Sequence, residues 1–267
     1  PALIGIFDSG IGGLSVLAAI VRALPRADLI YLADTAHVPY GAKSEKFIQG
    51  RVLIIGRHLI EQGSDTLVVA CNTATTAAID VLRAAHPDMT IIGVEPGVKP
   101  AVATSKTRRI AVLATEATAN SASLARLIQR HAGEVQVHVE TCPGWAKRVE
   151  TLKPFDARSD PDFADEVSQK LLPLLDAGVD RIVLGCTHYN FLVPLIKPLI
   201  AGRAELIAVD DAIARQVARL SSHKTHGSGK LRLLSTARPQ RLHAALSALG
   251  LHALLTRIDG AAQQVNL

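Results

Sequence analysis

Short apolar runs bounded by Gly, Asp or Pro recur along the chain, and most are followed by a longer stretch in which apolar residues return every three or four positions. The runs at 4–7 (IGIF), 28–34 (DLIYLAD), 66–70 (TLVVA) and 90–94 (TIIGV) predict strands in the first part of the chain. A second set at 109–114 (RIAVLA), 135–140 (VQVHVE), 180–185 (DRIVLG) and 205–210 (ELIAVD) predicts strands in the second part. Helical spacing falls at about 13–24, 44–62 and 73–86, then at 119–132, 161–177 and 191–200. Strands alternating with helices predict an α/β fold with mainly parallel sheets covered by helices and functional groups at the carboxyl ends of the strands.

The two sets are related by a repeat. GSDTLVVACNT at 63–73 matches GVDRIVLGCTH at 178–188, with Gly eight and Asp six positions before each Cys. TIIGVEPGVKPAVA at 90–103 falls on ELIAVDDAIARQVA at 205–218 with the same offset, and IGIFDSG corresponds loosely to IAVLATE. Two pseudosymmetric domains are therefore expected, the first made of 1–97 plus about 208–267 and the second of 98–207. The boundary is placed in 95–108, rich in Pro, Gly and charge, and 221–230 (SSHKTHGSGK) reads as a surface linker. Beyond it, LRLLST and a helix through LHAALSALG would rejoin the first domain. A cleft between the two sets of strand ends is the expected active site.

Composition narrows the compartment and the partners. The 267 residues are 48% apolar but only 3% aromatic, which implies a packed core of Ala, Val, Leu and Ile rather than a disordered chain. The N-terminal run LIGIFDSGIGGLSVLAAIV has no basic leader and is interrupted by Asp8 and glycines, so neither a signal peptide nor a membrane span is expected. Three widely separated cysteines suit free thiols in a reducing, cytoplasmic setting. The formal charge of +5 comes from dispersed basic residues, so nucleic acid is not expected as the main partner; a homodimer is left open.

Cys71 and Cys186 occupy the same address in the two halves, at a strand end ahead of a helix, where unpaired N–H groups and the helix dipole favour negative charge. A thiol pKa below its ordinary value of about 8.5 is expected there. Asn72 and Thr73 after the first thiol, and Thr187 and His188 after the second, add donors for a carboxylate. Cys142, after VHVET, reads as a small core residue. Two opposed acid/base thiols can invert a stereocentre, one removing a proton and the other returning one to the opposite face; their sulfurs should then lie roughly 6 to 7 Å apart. DSGIGG at 8–13 lacks the spacing of a Rossmann or P-loop fingerprint, and as a glycine-rich turn it suits a structural or a binding role equally. No CxxC or HExxH spacing supports a metal site, and no cofactor is expected.

DSGIGGLSVL, ADTAHVPYGAKS, VVACNTATTAAI, GVEPGVKPA and VLGCTHYNFL, in this order, resemble the cofactor-independent aspartate/glutamate racemase family over residues 4–250. The resemblance implies interconversion of L- and D-glutamate between two α/β domains, the D form feeding peptidoglycan synthesis. It places the proton carriers on Cys71, acting on D-glutamate, and Cys186, acting on L-glutamate. Asp8 and Ser9 become the polar pair beside the first thiol, with Asp8 assisting proton handling, and His188 their counterpart beside the second. Tyr40, Gly41, Asn72, Thr73 and Thr187 become substrate contacts, with Thr115 and Thr118 as cleft candidates and Glu150 as an acid near Cys186.

The chain departs from the family pattern in CPGWAKRVE, which carries Gly144, Trp145, Lys147 and Arg148 in a stretch that is usually more apolar and contains proline. Asn190 stands where Pro is usual, and VDDAIA replaces a typical Asp-Ser-Gly. The alternatives are a related racemase acting on aspartate and, from a different class, a racemase-like binding or inhibitor protein.

Overall fold

The computed structural model describes residues 3–221 and 226–267, so part of the expected 221–230 linker lies outside the described residues. In chain order the strands are β1 (Leu3–Asp8), β2 (Asp28–Ala33), β3 (Thr66–Val69), β4 (Thr90–Gly93), β5 (Arg109–Ala114), β6 (Gln136–Thr141), β7 (Arg181–Leu184), β8 (Glu205–Ile207), β9 (Leu231–Ser235) and β10 (Gln263–Gln264). The helices are α1 (Leu14–Ala23), α2 (Glu45–Glu61), α3 (Asn72–Ala85), α4 (Val98–Thr104), α5 (Glu116–Ala119), α6 (Ala122–His131), α7 (Trp145–Glu150), α8 (Pro161–Asp176), α9 (Val193–Ile200), α10 (Asp210–Ser221), α11 (Pro239–Ala248) and α12 (His252–Leu255). Short 3-10 helices occupy Tyr40–Ala42 and Thr187–Leu192.

Two parallel sheets result, with strand orders β10-β9-β2-β1-β3-β4 and β6-β5-β7-β8. The fold is α/β, with mainly parallel sheets flanked by helices. Both sheets use the same register beside their cysteine strands: Phe7 pairs with Val69, and Leu113 with Leu184. The next residues continue the match, since Ala70 N–H donates to Phe7 O and Gly185 N–H to Leu113 O, each at 2.8 Å. Cys71 is thereby set beside the end of β1, and Cys186 beside the end of β5.

The shared Gly and Asp of the repeat have local causes. Gly63 and Gly178 take φ of 95° and 87°, which L side chains adopt only with strain, and each ends the helix before its cysteine strand. The chain reversal is closed by Ser64 N–H to Leu59 O in one half and Val179 N–H to Leu174 O in the other. Asp180 accepts from Ser105 Oγ and from the N–H groups of Lys106 and Thr107, tying the turn before β5 to the start of β7.

Several boundaries differ from the periodicity. The expected strand 205–210 stops at Ile207 because Asp210 and Asp211 form the acidic first turn of α10. The expected helix 119–132 is two helices, since Thr115 caps Thr118 and Ser121 caps Leu124, each starting its own turn. The expected helix at 191–200 starts at Val193: Pro194 lacks an N–H for Asn190 O, so the preceding turn is 3-10. Within 95–108, read as a boundary, lies α4. It packs on the second sheet and α6, whereas α10, which follows β8, packs on α1 and β4. Each sheet thus sends its last helix to the other.

The CPGWAKRVE departure is accommodated by packing. Trp145 is fully buried, edge-to-face with Phe163 and Tyr189 at 6.0 and 5.6 Å between ring centroids, and its Nε1–H donates to Glu166. Arg148 bonds Asp160 at 2.6 Å and lies over Phe155 and Phe163. No helix among the described residues is long and apolar enough to cross a membrane. Because Trp145 packs α7, whose last residue is Glu150, against Phe163 and Tyr189, Trp145→Ala should lower stability by about 3–5 kcal/mol, read as a shift in the denaturant midpoint.

Candidate active site

Cys71 ends the run after β3 in extended conformation, and α3 starts at the next residue, so its Sγ accepts Ala74 N–H at 3.4 Å. Beside it, Asp8 closes β1 with its side chain completely buried. One Asp8 oxygen accepts Gly10 N–H at 2.9 Å, and the other faces Thr187 Oγ1 at 3.5 Å, a contact between the two halves. Burial raises the Asp8 carboxyl above its ordinary value, while the positive charge of His188 and the Gly10 N–H pull it down. Ser9 is buried in the same turn, and its backbone N–H points to Cys71.

The expectation of a lowered Cys71 pKa is corrected. Burial pushes the thiol well above its usual range, the charge of Asp8 adds to this, and the N–H groups of Ala74 and Ser9 oppose it without prevailing. Desolvation outweighs the donors at a helix start once Cys71 is only 5% exposed.

Around Cys186 the backbone is the 3-10 turn Thr187–Leu192, and the sulfur caps nothing. Its partner is the His188 ring, with Nδ1 at 3.7 Å from Sγ. The other ring nitrogen, Nε2, lies 2.6 Å from Glu150 Oε1. Burial lowers the His188 pKa, but hydrogen bonds to Cys186 and Glu150 and their negative charges win, so the imidazole sits well above its ordinary value. Glu150 is fixed in turn by Ile11 N–H at 2.8 Å and, through its backbone carbonyl, by Arg241 on α11 at 2.7 Å. A Glu150–His188–Cys186 chain is therefore pressed against the first half of the molecule.

The DSGIGG turn makes that approach possible. A Cβ on Gly12 would collide with the His188 ring, and one on Gly10 with the Glu150 carboxylate. A Cβ on Gly13 would meet Asp8 and the Tyr31 hydroxyl, which donates to Gly10 O at 2.7 Å. These glycines form the surface on which the second half docks. Gly41 similarly leaves no room for a Cβ against Thr115.

Hydroxyls gather between the halves as well. Thr73 Oγ1 is 2.9 Å from Thr115 Oγ1, and Thr118 Oγ1 lies within 3.5 Å of both. Asn72 is buried with its amide donating to Val94 O at 3.0 Å. For Tyr40, expected as a substrate contact, the hydroxyl is engaged within the protein. It is buried and donates to Asp34 at 2.5 Å, in a cluster where Asp34 also holds Arg51 and Thr236. The Tyr40 ring thus anchors the VPYG turn. A cavity of about 100 Å³ beside this turn is lined by Gly41, Thr115, Cys142, Ala146, Lys147 and Tyr189.

Arg241, Tyr31, Gly10 and Gly12 had been singled out by no chemical spacing; only the glycine density of DSGIGG signalled a close approach. All three thiols are free and buried, and Cys142 faces Glu140 O at 3.8 Å as a core residue. Among the described residues, no group of three or more His, Cys, Asp or Glu side chains is placed to hold a metal ion.

Residues 4–217 match the family described as Asp/Glu/Hydantoin racemase. A glutamate racemase of Pseudomonas aeruginosa is 42% identical over 252 residues, 93% of this chain and 94% of that protein. The crystal structure of a glutamate racemase isoform from Bacillus anthracis superposes with a TM-score of 0.84 at 29% identity, covering 100% of this chain and 98% of that one. That of the Escherichia coli glutamate racemase, in complex with L-glutamate and the activator UDP-MurNAc-ala, gives 0.81 at 30% identity over 99% and 98%. With paired thiols at equivalent strand ends and a match spanning most of its length, the chain belongs to the Asp/Glu/Hydantoin racemase family.

Proposed function

We propose that this chain interconverts L- and D-glutamate without a cofactor by proton transfer between two thiols, supplying D-glutamate for peptidoglycan in the cytoplasm. The observation that carries this reading is the pair of buried thiols at matching strand ends, each with its own acid/base partner facing the same junction: Asp8 for Cys71, and His188 with Glu150 for Cys186. The scheme requires a substrate α-carbon within about 3 to 3.5 Å of each sulfur.

From L-glutamate, Cys186 takes the α-proton while Cys71, kept protonated by its burial, returns one to the opposite face. The reverse direction exchanges the roles, with Asp8 and His188 assisting proton transfer at their own thiols. Charge developing toward the substrate carboxylate meets preorganised donors from Ser9, Asn72, Thr73, Thr115, Thr118, Thr187 and the backbone at Gly41. In a dry site such donors act far more strongly than in water. We further propose 1–97 plus 208–267 and 98–207 as the units that part to admit substrate, the exchange of α4 and α10 between sheets forming the hinge.

In deuterated water, L- or D-glutamate should racemise with deuterium entering at the α carbon, and aspartate should turn over much more slowly. Cys71→Ala or Cys186→Ala should each cut turnover by about 10²–10⁴-fold with the circular dichroism spectrum unchanged; an active single variant would defeat the two-thiol scheme. Gly12→Ala should displace His188 and lower kcat by about 10²-fold, measured in the same assay.

The Glu150–His188 pair also predicts a pH dependence. The raised imidazole stabilises the fold fully below its unfolded value of about 6.5, and this contribution is lost as the pH climbs through the raised folded value. The stability difference between wild type and Glu150→Gln, read from denaturant midpoints, should therefore be larger at pH 6 than at pH 10. In the variant the His188 ring should also titrate at a lower pH by NMR.

A further inference from the structure

A polar cluster lies outside the thiol junction, where three elements meet: Ser15 on α1, Asn190 in the 3-10 turn after Cys186, and Asp210 at the first residue of α10. The Asn190 amide nitrogen is 2.9 and 3.0 Å from the two Asp210 oxygens and 3.1 Å from Ser15 Oγ. A carboxylate only accepts, so the amide must turn its nitrogen toward Asp210. The Asn190 Oδ1 is left buried with no partner. Leaving such an acceptor unpaired is unfavourable, so simple stabilisation is a poor account of the residue. Burial pushes Asp210 up to about 6, opposed by hydrogen bonds from Ser15 and Asn190 and by the charge of Arg22, while Asp211 adds to the rise.

The cluster joins the same two segments that meet in the active site. Asn190 follows His188 by two residues in one turn, and Ser15 follows Gly12, against which the His188 ring packs, by three. Ser15 Oγ is also within 3.2 Å of Gly12 O. We propose that Asn190, clipped to Ser15 and Asp210, is a positioning residue that docks the turn bearing His188 onto the start of α1, holding the ring between Cys186 and Glu150. This rests on the functional reading above and assigns Asn190 no contact with substrate.

The test uses the full chain with Asn190→Ala and the exchanged pair Asn190→Asp with Asp210→Asn, in which the carboxylate and amide swap places and Ser15 can donate to the new carboxylate. Thermal melting checks that each variant is folded. Asn190→Ala should lower kcat about 10- to 100-fold with KM changed less than about threefold, and the exchanged pair should recover to within about threefold of wild type. With α-deuterated substrates, the primary isotope effect in Asn190→Ala should rise from L-glutamate, where Cys186 abstracts, and fall from D-glutamate. Isotope effects that move equally in both directions, or an exchanged pair as impaired as Asn190→Ala, would reduce the clip to packing and overturn the proposal. A wild-type chain that fails to racemise glutamate would instead defeat the functional reading, and an active wild type matched by Asn190→Ala would defeat the clip alone.

Discussion

The structure depends on how closely the ends of two separate sheets approach each other. Gly10 and Gly12 remove the side chains that would hold them apart, so that Glu150 reaches Ile11 N–H and the His188 ring lies on the backbone of the first half. Everything chemical follows from that contact. Without it, Cys71 and Asp8 would close one exposed strand end and Cys186 with His188 another, each solvated and separate.

Bringing the ends together removes water from ionisable groups, and the responses differ with the neighbours. Cys71 beside Asp8 is driven toward its neutral thiol, whereas His188, between Cys186 and Glu150, is driven toward imidazolium. Asp8 is raised by burial yet restrained by the positive charge of His188 across the junction. A site whose two halves are alike in backbone register is thus unlike in charge. In the proposed scheme, that difference would give each face of a bound carbon its own proton carrier with its own assistant.

The connections serve the same end. By crossing over, α4 and α10 bind each sheet to the helix layer of the other. Ser15, Asn190 and Asp210 meet where α10 returns to α1, next to the turn that carries His188. Packing in the CPGWAKRVE stretch supports the opposite side, where Trp145 and Arg148 hold α7 against α8 and its preceding loop. Trp145 and Arg148, which look misplaced in a cleft wall, pack on Phe163, Glu166 and Asp160, while Lys147 stays at the cavity.

The positions of the strands, the repeat and the placement of both thiols were legible in the sequence because they rest on local rules: alternation of apolar runs, and a glycine and a cysteine at the same step in each half, the glycines at 63 and 178 taking positive φ. The expected return of LRLLST, beyond the linker, to the first domain is matched by its pairing with β2. Local rules fail where the deciding partner is far away in the chain. The link from Glu150 to His188, the use of Gly10 and Gly12, the Arg241 support and the diversion of the Tyr40 hydroxyl to Asp34 each join residues whose spacing carries no period. The ionisation of Cys71 belongs to the same class: its helix start, visible in sequence, argues for a lowered pKa, but the burial that reverses it exists only once the halves are packed together. Sequence periodicity determined which atoms stand at the strand ends, and tertiary packing decided their charge, because desolvation depends on everything that surrounds a group rather than on its neighbours along the chain.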